Sequence, residues 1–305
     1  MHRKNRLLLN GKVSSQPFVR EAVQNVRKID PKLEVRVTYE YGDIARMVSE
    51  AVNEEVGRII AGGGDGTLNE AVNALMGIEK ERRPELGIVP LGTANDFAVS
   101  CGISMLAEES LKMAVEFPVY EVDVGKANER YFLNVASGGF GAVVTSQTPP
   151  ELKSLLGGSA YALTGLMKLL SFTPHRGRMR IGNMELSGAT LAAAVCNGRR
   201  SGGGQMLAPK AFIDDGLLDI VLLEPFSPID IPQLLEDFQN PSENGKFYKY
   251  FQAERVDVYS DEEYRPINLD GEPYDSLDIS FSIMKKALNI VLPRECPLLS
   301  RMERQ

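Results

Sequence analysis

Apolar and polar positions in the first 125 residues alternate between two rhythms. Short runs at Arg6 to Leu9, Leu33 to Thr38, Val56 to Ala61, Leu86 to Val89 and Val119 to Val124 have the apolar density or two-residue alternation of strands. Between them, apolar residues recur at helical spacing: Phe18, Ala22, Val23, Val26 and Ile29, then Ile44, Met47, Val48, Ala51 and Val52 after a Gly42-Asp43 start. Two further helices are predicted over 67–76 and 105–117. Strands and helices taking turns at this interval predict a parallel sheet wrapped by helices.

Beyond Gly125 the rhythm changes. Tyr131–Ser137, Met179–Ile181, Thr190–Cys196, Leu217–Leu223, Glu254–Tyr259, Ile267–Leu269, Leu277–Phe281 and Ala287–Val291 are short strand-like runs punctuated by Gly, Pro, Asn and Asp. They predict an antiparallel β-sandwich or barrel, interrupted by one helical insertion from Leu152 to Leu170. The boundary falls near Gly125, giving an α/β domain over 1–125 and a β domain after it.

Composition narrows the function. The 305 residues are ordinary in their 43% hydrophobic and 25% charged content, which excludes collagenous and disordered classes. A net charge of −7 makes a general nucleic-acid binder a poor fit, since duplex binding needs phosphates neutralised. Cys101, Cys196 and Cys296 are too scattered for a disulfide framework or zinc knuckle, which favours a reducing compartment. The basic start loses its apolar run after Leu9, and no stretch approaches the ~20 apolar residues of a spanning helix, so a cytoplasmic protein is expected.

The most informative segment is Gly62-Gly63-Gly64-Asp65-Gly66-Thr67-Leu68, where a strand enters a glycine cluster and a helix leaves it. Glycines permit positive φ and let N–H groups approach a bulky anion, and the helix start adds free N–H groups and a positive dipole end. Neither the lysine of a Walker A loop nor dinucleotide-fingerprint spacing is present. A surface turn with an incidental Asp is the plainer alternative. Gly92-Thr93-Ala94-Asn95-Asp96 follows the next strand in the same way, although Asn95 or Asp96 could serve only as an N-cap. Two such loops on neighbouring strands face each other where α/β sheets bind ligands, and argue for a nucleotide site.

Gly63 to Glu70, followed by Pro90 to Ala98, resembles the diacylglycerol kinase catalytic-domain family. Gly202-Gly203-Gly204-Gln205, Asp214-Asp215-Gly216-Leu217-Leu218-Asp219, Asn268-Leu269-Asp270-Gly271-Glu272-Pro273 and the ending Pro293 to Leu299 extend the resemblance over nearly the whole chain, closest to YegS-type bacterial lipid kinases. It implies an N-terminal α/β nucleotide domain, a β-sandwich lipid domain over 126–288, a segment over 289–305 returning to the first domain, and an active site in the cleft. It implies transfer of phosphate from ATP to a hydroxyl of a membrane lipid such as diacylglycerol or phosphatidylglycerol. By motif, Gly62, Gly63, Gly64, Asp65, Gly66, Thr67 and Leu68 line the phosphates, Thr38 and Thr93 contact the nucleotide, and Asn10 belongs to a further nucleotide loop. Asp65 and Asp96 organise Mg2+, and Glu272 accepts the lipid proton. The Asp215 carboxylate and the carbonyls of Phe212 and Leu217 hold a second, structural cation, Mg2+ or Ca2+. Ala94 departs from the Gly of many members and narrows that loop slightly.

The chemistry is coherent on its own terms. Phosphoryl transfer is mostly positioning and charge neutralisation, which backbone donors and an oxygen-liganded Mg2+ supply. Asp270-Gly271 also fits a hairpin turn, which would present Glu272. A kinase of bilayer lipids must touch the membrane surface. Leu163, Leu166, Met167, Leu169, Leu170 and Phe172, with Lys168, Arg176, Arg178 and Arg180, would make an interfacial element, or an ordinary packed helix. Arg199, Arg200 and Lys210 are candidate phosphate contacts or plain surface charge. A soluble-substrate relative such as an NAD kinase, and a regulator that binds nucleotide or lipid without turnover, are the alternative functions.

Overall fold

In a computed structural model of the chain, residues 4–139, 173–260, 266–276 and 278–300 are described. The predicted helical insertion from Leu152 to Leu170 and the interfacial residues Leu163 to Phe172 lie outside them. The first half runs β1 (Asn5–Leu9), α1 (Pro17–Val26), β2 (Glu34–Val37), α2 (Asp43–Asn53), β3 (Arg58–Gly63), α3 (Asp65–Met76), β4 (Glu85–Pro90), α4 (Asp96–Ser100), α5 (Ala107–Glu116) and β5 (Val119–Ala127). Strands β2, β1, β3 and β4 lie side by side and all parallel. Alternation decides which helix covers which face. Leu7, Leu9 and Ile60 pack under α1 and α5, while Leu8, Ile59 and Ala61 pack under α2 and α3.

The second half contains β6 (Arg130–Phe132), β7 (Val135–Gly139), β8 (His175–Ile181), β9 (Met184–Thr190), β10 (Ala192–Cys196), β11 (Arg200–Ser201), β12 (Gln205–Met206), β13 (Leu218–Leu223), α6 (Ile231–Gln239), β14 (Tyr248–Ala253), β15 (Arg255–Ser260), β16 (Pro266–Leu269), β17 (Glu272–Asp275) and β18 (Asp278–Val291). Six of these, in the order β14-β13-β10-β7-β16-β17, form an antiparallel sheet. It packs on β8, β15 and β18 through Phe132, Val195, Ile220, Phe251, Val256 and Phe281.

The sandwich is not a separate body. Its second sheet is the continuation of the parallel sheet, in the order β2-β1-β3-β4-β18-β15-β8-β9. Strand β18 crosses from one half to the other: Ser282 pairs with Arg255 of β15, and Ile290 pairs in parallel with Leu86 of β4. The sequence splits this strand into Leu277–Phe281 and Ala287–Val291 because it bends between Met284 and Leu288, where Lys286 adopts φ 50°. The change of rhythm at Gly125 falls inside β5. Its missing side chain seats the Phe132 ring, since a Cβ there would lie 2.2 Å from Phe132 Cζ. Among the described residues no helix is long and apolar enough to cross a membrane.

Candidate active site

The parallel strands β1 to β4 end at one edge, so the loops that follow them stand in a row. Asn10 Nδ2 donates to Thr67 Oγ1 at 2.9 Å, and the Gly11 N–H donates to Thr38 Oγ1 at 3.1 Å. The two glycine loops touch through bare backbone: a Cβ on Gly92 would stand 2.5 Å from the Gly64 Cα. A Cβ on Gly63 would stand 2.4 Å from Thr67 Oγ1. Here the structure corrects the expected role of the glycines. Positive φ occurs at none of Gly62, Gly63, Gly64 and Gly66; at Gly63 and Gly64 it is close approach, not left-handed backbone, that leaves no room for a side chain.

Helix α3 begins at Asp65, two residues before the expected start, and no side chain caps it. The first N–H groups, at Asp65, Gly66 and Thr67, therefore have no intrahelical partner and present the positive end of the dipole. Leu68 is buried behind them. In the second loop Thr93 is exposed. Asn95 does occupy the N-cap position of α4, but with φ 50° and without a capping bond. Its side chain folds back instead, accepting from the Gly92 N–H at 3.0 Å and donating to the Gly92 carbonyl at 2.8 Å.

Asp65 and Asp96 meet in a cleft between the two halves, lined also by Asn134, Val135, Gly203 and Asp270. Burial, then the charges of Asp96 and Asp270, pushes the Asp65 carboxyl up to about 6, against hydrogen bonds from the backbone of Asn95 and Phe97. Asp96 binds across the cleft: its carboxylate accepts the Gly203 N–H at 2.9 Å and the Gly204 N–H at 2.6 Å. These glycines do need positive φ, at 86° and 102°.

Glu272 is brought to the loop over 62–67 by a β16–β17 hairpin turned at Asp270 (φ 51°) and Gly271 (φ 100°), as the Asp-Gly pair predicts. A Cβ on Gly66 would lie 2.9 Å from Glu272 Oε1, so that carboxylate sits directly over the first turn of α3. It remains exposed to solvent. Glu70 faces it one turn further along, its carboxyl raised by burial and then by the Glu272 charge.

The turn is anchored by Asp270, whose role sequence reasoning missed. Its carboxylate accepts the N–H groups of Leu133 at 2.6 Å, Asn134 at 3.0 Å and Val135 at 2.8 Å, and the Asn69 Nδ2 of α3 at 3.2 Å. Only the adjacency of Asp270 to Glu272 and of Asn69 to the glycine loop signalled it.

The second predicted cation set lies apart from this cleft. Asp215 Oδ1 accepts the Leu217 N–H at 3.0 Å, and burial, then the charges of Asp123 and Asp214, raises its carboxyl to about 6. Phe212 lies beneath the Arg199 guanidinium, 4.9 Å from it. Two candidate phosphate contacts are engaged elsewhere: Arg199 Nε donates to the Ala211 carbonyl at 2.8 Å, and Lys210 Nζ to that of Pro241 at 2.7 Å. Arg180 pairs with Asp257 at 2.8 Å.

Among the described residues, no three His, Cys, Asp or Glu side chains converge as a metal-binding group. Mg2+ in nucleotide sites needs only one or two carboxylates, with phosphates and water completing its shell. The raised carboxyl of Asp65 beside Asp96 fits such an ion, because a cation there relieves the like-charge repulsion. Asp215 fits a cation on the same ground.

The diacylglycerol kinase catalytic domain model matches residues 5–127, and the YegS C-terminal NAD kinase β-sandwich-like domain model matches residues 134–292. A Shewanella frigidimarina protein named "Probable lipid kinase YegS-like" is 45% identical over 295 residues, covering 96% of this chain and 95% of that one. A protein of the same name from Yersinia pestis is 41% identical, covering 96% and 98%. A solved Bacillus anthracis chain superposes with a TM-score of 0.80 at 24% identity over 97% of this chain and 99% of its own, a likeness of fold.

One consequence concerns Asp65 without ligands. From about pH 4 to 6 the folded protein retains a proton that the unfolded chain has released, so stability falls as pH rises through that window. Asp65→Asn is expected to stabilise the nucleotide-free protein at pH 7.5, by an amount on the order of 2 kcal/mol, and so to raise its thermal midpoint there while changing it little at pH 4. Thermal denaturation at the two pH values checks this; a lowered midpoint at pH 7.5 would contradict it.

Proposed function

This chain belongs to the YegS-like branch of the diacylglycerol kinase catalytic-domain family, and on that premise we propose that it phosphorylates a membrane lipid from ATP. The observation that carries the proposal is the seat of Glu272 over Gly66, which puts a solvent-reachable carboxylate against a helix start free to bind phosphate. The segment over 62–68 holds the phosphates, with the free N–H groups of Asp65, Gly66 and Thr67 and the Thr93 hydroxyl as donors. Asn10 and Thr38 extend the site along the sheet edge. Asp65 and Asp96 hold Mg2+, which neutralises charge on the phosphates. The lipid hydroxyl oxygen bonds to the γ-phosphorus as the bond from that phosphorus to the β,γ-bridging oxygen breaks. ADP departs, and Glu272 takes the hydroxyl proton. Asp270 keeps Glu272 in place and the Asp96–Gly203/Gly204 contact keeps the cleft closed around the reacting groups.

The acceptor is an acyl-bearing alcohol of the diacylglycerol or phosphatidylglycerol class. Support comes from a cavity between the two sheets of the second half, lined by the apolar Ala136, Val195, Ile267 and Phe281 and also by Arg178 and Lys249. Strands β7 and β16, which help line it, are the strands that Asp270 ties to α3. The enzyme works from the cytoplasm, in transient contact with the inner face of the membrane. A second cation, Mg2+ or Ca2+, binds at Asp215 with the carbonyls of Phe212 and Leu217 and stabilises the turn beside Asp123 and Asp214.

Incubating the protein with labelled ATP, Mg2+ and a mixed lipid extract, then resolving products by mass spectrometry, is expected to give a lipid phosphomonoester. Label in added NAD would favour the soluble-substrate alternative, and tight ATP binding with no product a regulator. Glu272→Gln is expected to lower kcat about 100-fold or more while leaving the ATP dissociation constant within twofold, roughly the range for a lost general base. Unchanged turnover would remove Glu272 from that role. For the second site, EDTA is expected to lower the thermal midpoint of the wild-type protein but not that of Asp215→Ala; equal effects on both would contradict a cation there.

A further inference from the structure

The reacting end of the site is marked on one side of the parallel sheet. Glu272, Asp65 and Asp96 gather over the ends of β3 and β4, toward β18 and the second half. A nucleotide whose terminal phosphate lies there extends away from the second half, along the row of loops toward β1 and then β2. Strand spacing of ~4.8 Å makes this a step of roughly 10 Å from β3 to β2. The side chains on that path are already arranged in sequence: Thr67 bonded to Asn10, and Gly11 bonded to Thr38.

The path ends at an unusual surface. Directly after Thr38, the β2–α2 loop carries Tyr39 at 96% exposure and Tyr41 at 83%. Single exposed apolar residues need no explanation, but two nearly bare aromatic rings in one four-residue turn do. The loop that holds them is well tied. The Asp43 carboxylate accepts the N–H groups of Tyr39 at 2.6 Å and Glu40 at 3.1 Å and pairs with Arg46 at 2.7 Å. The Arg46 hydrogen bond, followed by those two N–H groups, holds the Asp43 carboxyl down at about 2, so the clasp persists across the physiological range. Gly42 at φ 88° completes the turn. At its other end the Thr38 N–H donates to the Leu9 carbonyl at 3.0 Å. The backbone is anchored on both sides while the rings cover nothing.

We infer that the Tyr39–Tyr41 loop is the base-binding end of the nucleotide site, with a tyrosine ring stacking on the purine. This rests on the nucleotide path proposed above and adds residues and a contact that the glycine motifs do not contain. A base has a flat π face whatever its edge pattern, and an aromatic ring supplied at the end of the triphosphate path needs no hydrogen bond to hold it. Preorganisation of the loop by Asp43 reduces the ordering cost of that contact.

The test compares ligands with and without a base. Calorimetric titration of the full chain with ATP and with inorganic tripolyphosphate, both with Mg2+, is made for wild type, Tyr39→Ala, Tyr41→Ala and the double variant. These surface substitutions leave the core untouched. At least one single variant, and the double, is expected to bind ATP about fivefold more weakly or worse while binding tripolyphosphate as wild type does. Tyr→Phe at the responsive position is expected to restore ATP affinity. Unchanged ATP affinity in the double variant overturns the inference, as does a parallel loss for tripolyphosphate. Retained ATP affinity with lost sedimentation on phosphatidylglycerol vesicles also overturns it and assigns the rings to the membrane surface. A wild-type chain that binds neither ligand defeats the nucleotide site itself, a result distinct from either of these.

Discussion

One carboxylate sets the relation between the two halves of this molecule. Asp270 collects three successive backbone N–H groups from the β6–β7 connection and the amide of Asn69 from α3. Leu133, Asn134 and Val135 are largely buried at the edge of the cleft, so those N–H groups have little access to water. Losing the carboxylate would strand them at about 1–3 kcal/mol each. The turn that Asp270 begins therefore has one position relative to α3, and Glu272, two residues on, inherits it.

The glycine loops meet this constraint from the other side. Gly63 leaves room for Thr67, Gly64 and Gly92 leave room for each other, and Gly66 leaves room for Glu272. At each place a side chain would occupy space that another group fills, or that a phosphate would need. The cleft is rich in carboxylates, with Asp65, Asp96 and Asp270 all lining it. The phosphate binding proposed there would rely on backbone donors, the dipole of α3 and a cation, because like charges would otherwise repel the ligand. Burial, and after it the like charges of Asp96 and Asp270, raises the Asp65 carboxyl.

Much of this was legible in the amino-acid order, and the exceptions share a cause. Periodicity located the helices and strands of the first half, because each amphipathic stretch there faces a single sheet. The family resemblance marked Asp65, Asp96 and Glu272 as a group, although they are dispersed along the chain. It did not reveal Asp270 as their support, since its partners lie 135 to 201 positions away and are mostly backbone N–H groups. It also did not reveal that Gly203 and Gly204 bind Asp96. Strand β18 was divided at its bend because the consecutive lysines at 285 and 286 interrupt an otherwise alternating pattern. Helix α6 carries Ile231, Leu234, Leu235 and Phe238 at helical spacing, yet Pro228 and Pro232 read as loop punctuation until they are seen at the helix start.

The family relation shows a lipid kinase, and the cleft geometry is compatible with the phosphoryl transfer proposed for it. The hinge between them is the space bounded by Gly66 and Glu272. A crystal structure of the full chain with Mg2+ and a non-hydrolysable ATP analogue tests that space most directly. The account predicts the terminal phosphate at the first turn of α3, with the Glu272 carboxylate facing it from the opposite side. A triphosphate bound away from residues 62–67, or a hairpin turned so that Glu272 points out of the cleft in the complex, would contradict it.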